Sequence, residues 1–139
     1  MNVDGIKSGI VLDHIQAGRS MQIYQYLHLD ELDCSIAIIK NVRSTKMGRK
    51  DIIKIDAEMD INLDVLGYID PNITVNIVRD YMIVDKKHLA LPKKLKGVIR
   101  CKNPRCITST EQEIEHEFYL SDEKKQAYRC NYCEASYKQ

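Results

Sequence analysis

The sequence predicts an α+β chain: an antiparallel sheet with two helices on one face, followed by a small all-β domain built around a metal. Three observations predict it. Over residues 1–92 the apolar segments read strand, helix, strand, strand, helix, strand, with one strand added. A proline and a run of lysines at 92–96 then interrupt the pattern. Four of the five cysteines fall in the last third, between Cys101 and Cys133.

The elements follow in order. After a polar lead with Ile6, the β-branched run Ile10-Val11-Leu12 and Ile15 predicts a strand over 9–15, interrupted by Asp13 and His14. Gly18 marks a turn. Ile23, Tyr26 and Leu27 fall at helical spacing, so a helix is expected over 19–29 with Ser20 as N-cap. Ile36 to Ile39 suits a buried strand over 34–42, and Ile52, Ile53 and Ile55 a second over 51–55. A short helix is expected over 63–69, ended by Asp70-Pro71-Asn72. Strands over 73–78 and 81–84 follow, joined by a tight turn at Arg79-Asp80. This order is the ferredoxin-like pattern.

Pro92, Lys93, Lys94 and Lys96 read as a linker, which gives domains over 1–92 and 97–139. The second is too short for an independent apolar core and needs a staple. The cysteines supply one. Cys101, Cys106, Cys130 and Cys133 form the pairs C-x4-C and C-x2-C. A tetrahedral metal needs four soft donors at about 2.3 Å, and two thiolate-bearing turns joined by a hairpin meet that need. Zinc is the expected ion; iron and a pair of disulfides are the alternatives. Disulfides belong to secreted chains, whereas no leader-like stretch is expected here and the Lys- and Glu-rich composition is cytosolic in character. Four cysteine ligands close the site, so the metal is expected to be structural. Strands are expected at 98–99, 114–120 and 127–129.

Composition excludes other classes. No apolar run approaches the 18 or so residues that span a membrane. A net charge of +1, no Trp and one Phe argue against a nucleic-acid binder. No nucleophile elbow, Walker loop or dinucleotide fingerprint occurs, so no catalytic site is expected. Cys34 reads as a small buried hydrophobe, and His28, His88 and His116 as surface residues. Charge is locally uneven: Lys40, Arg43, Lys46, Arg49, Lys50 and Lys54 are opposed only by Asp51. Such a run suits a polyanion or an ordinary solvated face.

Several motifs then converge: L-D-H-I at 12–15, M-G-R-K-D-I-I-K-I at 47–55, T-V-N at 74–76, the Tyr81 strand leading to Lys86, and the cysteine pairs ending at Glu134. Together they resemble the regulatory chain of aspartate carbamoyltransferase over nearly the whole length. That resemblance implies a non-catalytic subunit in the cytoplasm, acting on the first committed step of pyrimidine biosynthesis. It implies homodimers joined through the first domain, and zinc domains docked on catalytic trimers. It implies nucleoside triphosphate effectors on the first domain, with CTP and UTP inhibiting and ATP activating.

Residue by residue, the resemblance places Asp13 and Lys54 on the ribose and base side and Lys86 on the phosphates. His14 and Lys50 match positions near the phosphates. Ile6, Tyr81 and Ile83 match positions offering largely backbone contacts around the base, and Asn76 and Val78 match further pocket positions. The cysteine turns, including Asn103, Arg105, Tyr132 and Glu134, are expected to form the surface that meets the catalytic chain, with Arg105 departing from the small polar residue expected of the family. In the family the segment before the first strand also serves a second, metal-bridged nucleotide, and here that segment is short. The competing reading is a zinc-ribbon nucleic-acid-binding protein, which the near-zero net charge disfavours.

Overall fold

The computed structural model describes residues 5–137; the lead before Gly5 lies outside them. The chain forms two compact units, residues 1–90 and 91–139.

The first unit runs β1 (Gly9–Gln16), α1 (Ser20–Tyr26), β2 (Ile36–Ser44), β3 (Gly48–Ile55), α2 (Leu63–Ile69), β4 (Thr74–Arg79) and β5 (Met82–His88). Its five-stranded sheet has the order β2-β3-β1-β4-β5, and every pairing is antiparallel. The ferredoxin-like expectation holds, with β5 as the added edge strand.

Alternation along the strands sorts residues onto two faces. Ile38, Ile53, Leu12 and Val75 stand opposite one another across four strands. Ile53, Leu12 and Val75 are buried in the core, as are Ile23 of α1 and Leu66 and Ile69 of α2. The next row along, one residue away and so on the opposite face, is Ala37, Lys54, Val11, Asn76 and Lys86. Here a small cluster of Ile6, Val11, Ile52 and Val78 is buried, with Val42 against it.

The helices begin for different reasons. Asn62 caps α2 by accepting from the amides of Asp64 and Val65 at 3.0 and 3.3 Å. Ser20, the expected cap of α1, is instead its first helical residue. The capping acceptor comes from elsewhere in the chain: the buried Asp51 carboxylate takes the amides of Gly18 and Ser20, at 3.0 and 3.3 Å, and that of Asn41 at 2.8 Å. Helix α1 stops at Tyr26, and after left-handed His28 a separate 3-10 turn covers Leu29–Glu31.

Other differences concern strand ends. Asp13 and His14 do not end β1; they form a bulge in its pairing with β3, with His14 at φ +59°. Cys34 lies ahead of β2 and is half-buried. The β4–β5 turn is Asp80-Tyr81, both left-handed, one residue later than expected. β5 continues through Asp85-Lys86-Lys87-His88, because an exposed edge strand needs no apolar side chains to pair.

The second unit carries β6 (Lys94–Lys96), α3 (Ile107–Thr110), β7 (Glu117–Asp122), β8 (Ala127–Cys130) and β9 (Ser136–Tyr137), with sheet order β6-β7-β8-β9. Residues 94–96, expected to be linker, pair with β7, and the Tyr128 hydroxyl donates to Pro92 O at 2.6 Å. Leu95, Phe118, Tyr128 and Cys130 form the buried part of this sheet. The expected strand at 98–99 is irregular, and the expected 114–120 strand begins at Glu117.

Candidate binding face and metal centre

The cysteines converge. All four Sγ atoms lie within 4.8 Å of one another. Cys101 and Cys133 are 3.6 Å apart, and Cys106 and Cys130 are 3.7 Å apart. Four sulfurs at about 2.3 Å around one ion sit about 3.8 Å from each other, so the spacing fits a single tetrahedral metal and is far too long for disulfides.

The backbone builds this cluster. Each sulfur accepts an amide from the residue two positions on: Asn103 for Cys101, Thr108 for Cys106, Tyr132 for Cys130 and Ala135 for Cys133. Burial pushes the Cys101 thiol up to about 12 and raises Cys130. The Ala135 amide and Asn103 bring Cys133 down to about 6. For Cys106, burial acts upward, but the Thr108 hydroxyl at 3.0 Å and the Thr108 amide outweigh it. Such hydrogen bonds stabilise thiolates, the form that ligates a metal.

On the first unit the predicted residues gather on the face away from the helices. Register aligns Lys54, Val11, Asn76 and Lys86. Lys54 and Ile6 border a cavity of about 330 Å³ with Ser35, Ala37 and Asp56. Asn76 is buried; its amide nitrogen donates to Val11 O at 3.4 Å, while its Oδ1 has no protein partner. Val78 belongs to the apolar cluster beneath.

Asp13 and Lys50 form an ion pair at 2.9 Å. Asp13 Oδ1 also accepts the His14 amide at 2.7 Å. Burial alone would raise the Asp13 carboxyl, but Lys50 and the His14 amide hold it below its ordinary value. The His14 ring reaches Thr74 Oγ1 through Nδ1 at 3.1 Å. Tyr81 and Ile83 stand at the outer hairpin and are exposed. The Tyr81 amide is committed to Lys7 O at 2.9 Å.

A larger groove, about 710 Å³, is lined by Ile10, Val75, Ile77 and the 58–63 segment. It contains none of the predicted residues, and its charges are mixed, with Glu58, Asp60 and Asp85 beside Arg79 and Lys87.

Residues 1–90 match the family described as aspartate carbamoyltransferase regulatory chain, allosteric domain, and residues 93–139 match its metal binding domain. The chain belongs to the aspartate carbamoyltransferase regulatory chain family. Among similar proteins, the aspartate carbamoyltransferase regulatory chain of Clostridium tetani is 53% identical over 139 residues, covering 99% of this chain and 96% of the relative. That of Clostridium botulinum is 51% identical, covering 99% and 94%. That of Bifidobacterium longum is 44% identical, covering 96% of both. This is therefore a regulatory, non-catalytic chain.

In this regulatory chain, three positions escaped the sequence reading. Asp51 was weighed only as a counter-charge, yet it anchors the start of α1. Thr108 supports Cys106 directly. His116, read as a surface residue, is half-buried and accepts the Cys101 amide through Nδ1 at 3.0 Å. A hydroxyl two residues after a ligand is a readable signal; the other two contacts depend on tertiary structure. At the knuckles, Arg105, Tyr132 and Glu134 are exposed and Asn103 is half-buried. No helix among the described residues is long and apolar enough to cross a membrane.

Proposed function

We propose that this chain binds nucleoside triphosphates on the helix-free face of its five-stranded sheet and passes their influence to aspartate carbamoyltransferase catalytic trimers. The row from Lys54 through Val11 and Asn76 to Lys86 carries this reading. Three strand spacings, about 14 Å, separate the lysines. That length suits an extended nucleotide, with base and ribose toward Lys54, Ile6 and Asp13 and phosphates toward Lys86. The unpartnered Asn76 Oδ1 leaves a buried acceptor for a ligand donor. Lysines serve phosphate as point charges.

In this reading CTP and UTP inhibit and ATP activates, in a cytoplasmic assembly. Chains pair through the first unit. The metal is zinc, held by Cys101, Cys106, Cys130 and Cys133, and its role is structural because four thiolates leave no open position. Asn103, Arg105, Tyr132 and Glu134 meet the catalytic chain.

The test is co-purification with the catalytic chain, followed by aspartate saturation curves with and without ATP, CTP and UTP. The expected result is a shifted midpoint at unchanged maximal rate. A complex whose curves ignore all three nucleotides would sink the proposal.

A further inference from the structure

Two bulges flank β3 at one level. On the β1 side, Asp13 and His14 stand opposite Ile52 alone, between the pairs Leu12–Ile53 and Ile15–Asp51. On the β2 side, Lys40 and Asn41 stand opposite Asp51 alone, between the pairs Ile39–Ile52 and Val42–Lys50. Each bulge has its second residue in the left-handed region, His14 at φ +59° and Asn41 at φ +61°. A bulge interrupts the ladder and bends its strand. Two of them on both neighbours of one strand make a line of broken pairing across three strands. Strand β4 begins at Thr74, opposite Asp13, so it does not reach past that line. Beyond the line lies a three-stranded tip made of residues 15–16, 42–44 and 48–51.

Consecutive residues of β3 pin the line, and alternation sends them to opposite faces. Lys50, on the helix-free face, holds Asp13 of one bulge at 2.9 Å. Asp51, on the helix side, accepts the amide of Asn41 in the other bulge at 2.8 Å. It also accepts the amides of Gly18 and Ser20, at the start of α1, at 3.0 and 3.3 Å. The Gln16 amide, on the tip, donates to Asp70 after α2 at 2.8 Å. One dipeptide therefore joins the helix-free face, both bulges and α1.

We infer that the first sheet hinges along this line, so that a nucleotide seated on the helix-free face tilts the tip and, through Asp51, moves the start of α1. This rests on the nucleotide reading above and adds how occupancy reaches the other side of the sheet.

The two positions of the hinge differ in which charges they satisfy. Without ligand, parting Lys50 from Asp13 leaves two nearly buried charges unpaired, which holds the sheet in one position. A nucleoside triphosphate offers each a new partner, phosphate for Lys50 and ribose hydroxyls for Asp13. The ligand thus favours the parted state, which is the differential affinity that a shift in population requires. The bulges absorb the rotation, because the ladder is already broken there. Asp51 transmits it because its three donors are main-chain amides, which cannot swing aside as a side chain does.

Nuclear magnetic resonance of the full metal-loaded chain, titrated with CTP and with ATP, tests this. Residual dipolar couplings report how the tip amides at 42–44 and 48–51 are oriented against those of β4. Saturation with either nucleotide should turn the tip as a body and shift the amide resonances of Gly18 and Ser20. Asp51→Asn should keep nucleotide affinity within about threefold, since this side chain lies on the face away from the ligand. It should lose the shift at Gly18 and Ser20 while the tip still turns. An unchanged tip orientation in the saturated wild-type chain overturns the inference, as does a full shift at Gly18 and Ser20 in Asp51→Asn. Should Asp51→Asn fail to fold, the wild-type couplings decide alone. If neither nucleotide binds wild type, the nucleotide reading falls and takes this inference with it. Binding to an unbent sheet removes the inference alone.

Discussion

Lys50 Nζ lies 2.9 Å from Asp13 Oδ1, with only 12% and 6% of the two side chains exposed. Lys86, three strands away, is exposed on the edge. Two lysines assigned to one ligand thus carry different structural duties.

Lys50→Ala removes the partner of a buried carboxylate, and the first unit should lose about 3 kcal/mol. Lys86→Ala should leave stability unchanged and weaken nucleotide binding about 10- to 150-fold, the loss of one charge-assisted contact. Lys94→Ala, on the other sheet, is the control. Urea denaturation and isothermal titration of all three variants make the separation measurable. Equal affinity for wild type and Lys86→Ala would show that the phosphates lie elsewhere.

Asp51→Asn should destabilise the first unit by about 2–3 kcal/mol at neutral pH, since a charged acceptor of three amides is lost. The pH dependence has a definite sign. Burial would raise the Asp51 carboxyl, but the amides of Asn41, Gly18 and Ser20 outweigh it and hold it below 3.8. A depressed folded value contributes stability above the unfolded one and loses it as pH falls through the folded one. The gap between wild type and Asp51→Asn should therefore narrow in acid below 3.8. A gap that is constant with pH would assign the effect to packing.

Gly9 of β1 lies hard against the backbone at Ile55, the end of β3. A Cβ there would stand 2.1 Å from Ile55 O, against backbone that cannot swing aside. Gly9→Ala should cost about 1–3 kcal/mol by overpacking. An unchanged thermal midpoint would contradict the register described above.

Metal binding should be folding energy for the second unit alone. Cys106→Ala is expected to disorder residues 91–139 while the first sheet keeps its amide protection in hydrogen exchange. Thr108→Val keeps the shape but removes the hydroxyl beside Cys106, and should weaken the metal about 10-fold or more in a chelator competition. Retention of full affinity would reduce Thr108 to packing.

The sequence revealed what local pattern encodes. Helix α2 emerged with its correct bounds because its period and its end signals agree. The cysteine pairs were legible from spacing alone. Strands β5 and β6 were cut short or taken for linker because both are lysine-bearing edges, where pairing needs no apolar side chain. The alignment of Lys54 with Lys86 is a matter of register, and register depends on bulges and turns that composition does not print. Asp51 was opaque for the same reason: its partners lie 10 to 33 residues away.

The amides that reach the four sulfurs come from the main chain, at positions 103, 108, 132, 133 and 135. Any residue except proline can supply them. Tyr132, one of the positions assigned to the catalytic-chain surface, can therefore drift with a partner's changing surface while metal loading stays intact, whereas Asn103 is held by its side-chain hydrogen bond to Cys133. Genetic screens of this segment should yield two separable classes at position 132: a proline replacement that loses the ion, and other replacements that lose only the partner.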